Sequence, residues 1–209
     1  MTAVGAIDIA NQALDQINQG SISSISPPTS TTEKIVARHF DDCRRKVLRS
    51  HPWNFACTRA YVSRSLTPPE FDYTDQYTLP EDCLRVLSVG GDSEITRKKN
   101  WGISGRFLQM NNSAATSEKV RYIQDVTDIS LWDSQAKELL VYELALKIAP
   151  ALSAKKADVE RIEAAIRAIL PEARSIDGIE KPPRRINESR YLAARKRGYN
   201  PDPTRIVFD

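Results

Sequence analysis

A chain of 209 residues with 41% hydrophobic, 27% charged and 7% aromatic content has ordinary globular composition, and folding should bury roughly 70% of its unfolded surface in a genuine core. No window reaches the roughly 18 consecutive apolar residues of a membrane helix, and Met1-Thr2-Ala3-Val4-Gly5 lacks the basic and apolar stretches of a secretory leader; both argue against a membrane protein and for a chain made and kept in the cytoplasm. The net charge of +3 is uneven: Lys181 to Arg197 holds seven basic residues against Glu188, an excess of +6, which leaves −3 elsewhere and argues against the body as a general nucleic-acid binder, since such binding needs phosphate neutralisation.

Val4, Ile7, Ala10, Leu14 and Ile17 recur at spacings of three and four, which predicts a helix from about Val4 to Asn18 stopped by Gly20. The Ser/Pro/Thr-rich loop Ser21 to Ser30 follows, and Ser30-x-x-Glu33 has capping-box spacing. A second helix should start there, carry Val36, Phe40, Cys43 and Val47 on its apolar stripe, and run to about Arg49 before Pro52 ends it.

From Tyr61 to about Gln124 the period changes. Tyr77-Thr78-Leu79, Leu84 to Val89, Glu94 to Arg97, Arg106 to Met110 and Lys119 to Gln124 are short β-rich runs, read as one small antiparallel sheet, with Gly90-Gly91-Asp92 as a hairpin turn between two of them. Helical period returns after Asp133, a predicted N-cap ahead of Ala136, Leu140, Leu144 and Ile148. That helix is apolar nearly all round and should be central, with Pro150 ending or kinking it. A last helix with Val159, Ile162, Ile166 and Ile169 in one stripe is expected from about Ala154 to Arg174, and no period survives beyond Gly178. The fold class is thus mainly α with a β insertion (α+β): a four-helix bundle, a small antiparallel sheet and an extended C-terminal arm. Residues 1–60 hold helices one and two, 61–126 the inserted β region, 127–175 helices three and four, and 176–209 the basic arm.

Reactive constellations are scarce. His39 and Cys43 lie one turn apart, but a zinc site needs three or four ligands and no second pair at a recognisable spacing follows. Cys43, Cys57 and Cys83 form an odd set without C-x-x-C spacing and read as reduced, buried thiols. Gly102-Ile103-Ser104-Gly105-Arg106 lacks the final glycine of a nucleophile elbow and reads as a turn between strands. The adjacent acids Asp41-Asp42 and Glu81-Asp82 do not face each other and read as a solvated helix face and a solvated turn. Asn111-Asn112-Ser113 and Asn187-Glu188-Ser189 match a glycosylation pattern that means nothing without secretion. No catalytic, metal or cofactor site is assigned, and an enzyme is not expected.

The arm offers Arg184, Arg185, Arg190, Tyr191, Arg195, Lys196, Arg197 and Tyr199. Arginine interleaved with tyrosine is what interface anchors are made of, so docking onto another protein is the favoured reading; the alternative is a DNA-binding or DNA-packaging factor that uses the same arm on phosphates. In Arg49-Ser50-His51-Pro52-Trp53-Asn54-Phe55-Ala56, proline breaks the helix while Trp53 and Phe55 plug the junction of bundle and sheet. Trp132 is expected as a staple on the next helix start, and Phe40, Leu140 and Leu144 as core.

That passage, followed by Arg59-Ala60, by Tyr77-Thr78-Leu79-Pro80-Glu81-Asp82-Cys83-Leu84-Arg85-Val86 and by Asp128-Ile129-Ser130-Leu131-Trp132-Asp133, resembles the head-to-tail adaptor and tail tubular protein A families of short-tailed bacteriophages. The likeness spreads over roughly Val4 to Arg174. It implies a virion structural protein: a ring of twelve copies beneath the portal protein, joined to a tail or nozzle protein below, with genomic DNA passing through the channel and the C-terminal segment reaching the portal.

Overall fold

The computed structural model describes residues 3–90, 100–111 and 115–179, and the chain divides into one unit of Met1–Gly178 and another of Ile179–Asp209. Within the first unit the fold is mixed α and β, with four helices and two small antiparallel three-stranded sheets among the described residues.

Helix α1 spans Ala3–Asp15. It stops three residues short of the predicted end because Asn18 takes a positive φ of 55°, a turn conformation that asparagine tolerates. Helix α2 spans Thr31–Ser50 behind the full capping box: Ser30 Oγ accepts from the Glu33 N–H at 3.1 Å, and the Ser30 N–H donates to Glu33 Oε2 at 2.9 Å. Glu33 also takes the Thr29 N–H and hydroxyl, both at 2.7 Å, and the Ser23 and Ser24 N–H groups at 3.3 Å, so one carboxylate organises the loop before α2. The Thr29 hydroxyl, then the Ser30 and Thr29 N–H groups, hold its carboxyl well below the usual carboxylate range.

A depressed carboxyl contributes stability that is fully present above the ordinary value of 4.5 and fades as pH falls below it toward the folded value. Glu33→Gln should therefore flatten the acid limb of the stability profile: from about pH 7 to about pH 3 its thermal midpoint should fall less than that of the parent. Parallel profiles would show that Glu33 is not an acid-sensitive group.

Helix α3, Ser134–Ile148, begins at the Asp133 N-cap, whose carboxylate accepts from the Ser134 N–H at 2.7 Å. Both α1 and α2 pack on α3, as its nearly all-round apolar surface requires. Leu140, Leu144 and Ile148 are fully buried, and Phe40 meets the same core from α2. Helix α4, Lys156–Ile179, continues past the predicted end and carries Pro171 inside it. It joins the core through buried Ile162, with Val159, Ile166 and Ile169 partly covered.

One sheet was expected and two are present. The first has the order β1-β6-β3, with β1 Cys57–Ser63, β6 Ser117–Gln124 and β3 Cys83–Val89; the second has the order β2-β5-β4, with β2 Asp75–Thr78, β5 Phe107–Met110 and β4 Trp101–Ser104. Strands β1 and β4 were missed, whereas the expected run Glu94 to Arg97 and the Gly91-Asp92 part of its turn lie outside the described residues. The split follows from the strand faces: Val62, Val89, Val120 and Tyr122 of the first sheet and Tyr77, Leu108 and Met110 of the second are apolar and close on one another as a separate small core.

Strands β4 and β5 pair Ser104 with Phe107, so Gly105-Arg106 is a two-residue turn. Gly105 has φ +57° while Arg106 is not among the positive-φ residues, the pattern of a type II′ hairpin. The expectation of a turn in place of a nucleophile elbow holds.

Candidate functional site

The helical core and the first sheet meet at an aromatic run. After α2, Trp53 is buried and stacks on Phe55 with centroids 6.1 Å apart; Phe55, half-buried, tilts onto Trp132 at 5.3 Å, and His51 meets Trp53 edge-on at 5.0 Å. Each indole N–H finds a carbonyl, Trp53 Nε1 that of Val47 at 2.9 Å and Trp132 Nε1 that of Val126 at 3.3 Å. A polar tie runs alongside: buried Arg44 of α2 pairs with Asp125 just after β6, and its Nη1 donates to the Val126 carbonyl at 3.0 Å. Arg45 takes the other Asp125 oxygen at 3.0 Å.

Asp82 serves as a structural node. It accepts from the Tyr122 hydroxyl at 3.1 Å and Gln124 Nε2 at 2.8 Å, and its carbonyl accepts from the Asp125 N–H at 2.8 Å. Burial first, then the bond to Asp82, pushes the Tyr122 hydroxyl up to about 12. Its neighbour Glu81 is exposed. Cys43 is buried in the apolar stripe, donates its thiol to the Glu143 carbonyl at 3.7 Å, and is pushed up to about 11 by burial and by the Glu143 charge. Among the described residues no group of three His, Cys, Asp or Glu is placed to hold a metal. The arm residues Arg184, Arg185, Arg190, Tyr191, Arg195, Lys196, Arg197 and Tyr199 lie outside the described residues.

No family model and no curated protein sequence matches the chain.

What the described surface does present is a pair of features that sequence reading missed. On the outward face of the first sheet, Arg59 stands directly opposite Arg121 and Tyr61 opposite Lys119, with Ser88 beside Arg121 on β3. These five line a groove of about 230 Å³, in which the Lys119 ammonium lies 5.8 Å from the centre of the Tyr61 ring. The second feature is the loop from Arg64 to Thr74. It is fastened by the Ser65 N–H on the Gln76 carbonyl, by Gln76 Nε2 on the Thr67 carbonyl and by the Arg64–Asp75 ion pair. Its crest holds Leu66, fully exposed, and Phe71, 73% exposed, with the acids Glu70 and Asp72 on either side of Phe71. Neither feature has a periodicity signature, because one depends on strand register and the other on which loop residues find no cover.

Proposed function

We propose that the protein is a head-to-tail adaptor of a short-tailed bacteriophage: a structural virion subunit that forms a ring, of twelve copies in the family it resembles, beneath the portal protein. In this reading α1 to α4 act as a four-helix bundle with the β region inserted between α2 and α3. The residues after Gly178 form an extended basic arm that grips the portal through Arg184, Arg185, Arg190, Tyr191, Arg195, Lys196, Arg197 and Tyr199. The remainder of the chain, at −3, surrounds a conduit whose walls do not hold DNA phosphates, so the genome slides.

The observation that carries the reading is a convergence. The passages that resemble the adaptor families are far apart in sequence yet meet in space: Trp53 and Phe55 stack with each other, Phe55 reaches Trp132, and Arg85 Nη1 donates to the Arg49 carbonyl at 3.4 Å. They are the residues that hold a helical body to a β module, and architecture of that kind suits a protein that works by assembly.

Co-expression with the portal protein of the same virus should yield a complex whose native mass corresponds to a multi-subunit ring, and truncation after Gly178 should abolish capture. A full-length chain that fails to bind portal would overturn the reading. Strong duplex DNA binding that weakens steeply with salt and vanishes when Arg184, Arg185, Arg195, Lys196 and Arg197 are neutralised would replace it with the packaging-factor alternative.

A further inference from the structure

We infer that the Arg64–Thr74 loop of one copy docks into the cationic groove on the first sheet of a second copy, giving a head-to-tail contact between protomers. The inference rests on the adaptor reading for its setting and on this surface for its substance.

The groove asks for an anion. Arg59 and Arg121 are direct cross-strand neighbours, and like charges so placed repel. Among the described residues neither has an ion-pair partner. Lys119 adds a third cation two pairs further along, on the same face. The groove also has an apolar component, since the Tyr61 ring is 71% exposed beside Lys119. An occupant that satisfies both needs carboxylates flanking an aromatic or aliphatic side chain.

The chain carries such an element. Glu70-Phe71-Asp72 sets two carboxylates around one ring, and Leu66 adds a second apolar side chain from the same loop. Residues 65–74 contain no Lys or Arg, and Arg64 at the loop's start is paired with Asp75, so the charges beside Phe71 are acidic. Its fastening at both ends means that little ordering entropy is lost on docking. Loop and groove are different surfaces, so the contact is heterologous: it repeats from copy to copy and closes into a ring when the rotation permits. Duplex DNA would satisfy the cations and leave Leu66 and Phe71 uncovered, which favours a second copy.

Charge reversal with cross-rescue tests this. One full-length variant carries Glu70→Lys and Asp72→Asn; asparagine is chosen because position 72 has φ 68°, which asparagine adopts and lysine resists. The other carries Arg59→Glu and Arg121→Glu. All four sites are at least partly exposed, and circular dichroism will show both variants folded. Sedimentation across a concentration series should show the parent associating, each variant alone remaining monomeric, and an equimolar mixture associating again, because the reversed loop fits the reversed groove. Phe71→Ala should weaken association by about thirtyfold, the loss of one buried aromatic anchor. A parent monomeric at every concentration, variants that associate like the parent, or a mixture that stays monomeric would each overturn the inference. Unchanged association with loss of duplex DNA binding in the Arg59→Glu, Arg121→Glu variant would reassign the groove to phosphates. The two readings fail separately: association without portal capture removes the adaptor, whereas portal capture with no cross-rescue removes the loop-in-groove contact.

Discussion

Trp53→Ala should lower the free energy of unfolding by about 3 to 5 kcal/mol, read from urea denaturation, the range for truncating a buried aromatic. Trp53 is 1% exposed and its ring touches both His51 and Phe55, so the variant leaves a hole that the α2 terminus and the strand beyond it cannot both close. A second loss adds to the first. The Val47 carbonyl belongs to the last turn of α2, where carbonyls need partners from outside the helical ladder, and it accepts from Trp53 Nε1 and the Ser50 hydroxyl. Trp53→Phe keeps one six-membered ring and gives up the indole donor with part of the ring volume, so it should cost less, about 1 to 2 kcal/mol. If the alanine variant lost no more than the phenylalanine variant, the ring would not be what closes the junction.

The parts of this fold that were legible are those whose cause is local. The stripe Val36, Phe40, Cys43 and Val47 is set by helical period alone, and all four residues are buried. The Ser30 to Glu33 capping box involves neighbours three apart and is present in full. Strand β1 was not legible, because Thr58-Arg59-Ala60-Tyr61-Val62 becomes a strand by pairing with β6 some sixty residues later. For the same reason the division into two sheets had no sequence cue: which apolar faces close on each other is decided by strand partners. The candidate surface shares this origin. Arg59 and Arg121 are unremarkable in their own segments, and only the register that sets them opposite makes a cationic row. Arg44 was equally opaque, since a basic residue next to Cys43 reads as the wet side of α2 until Asp125 arrives to cover it.

That covering makes Arg44→Met the second substitution with a large expected effect, about 3 to 5 kcal/mol of stability. The Arg44 side chain is 3% exposed and bonds three acceptors: Asp41 at 3.1 Å, Asp125, and the Val126 carbonyl at 3.0 Å. Methionine replaces the aliphatic stem but not the guanidinium and its donors, which leaves the Val126 carbonyl short of one partner and Asp125, itself only 15% exposed, with a single cation. The cost therefore comes from the groups left behind more than from the guanidinium removed, and this has a checkable consequence. Adding Asp125→Asn to Arg44→Met should recover part of the loss, because a neutral amide is cheaper to leave in that pocket than a half-paired carboxylate. Arg45→Met supplies the control: Arg45 bonds the same carboxylate from a half-exposed position, where solvent screens the pair to less than about 1 kcal/mol. Equal losses for Arg44→Met and Arg45→Met would mean that α2 holds Asp125 as firmly from its solvent side as from its buried side.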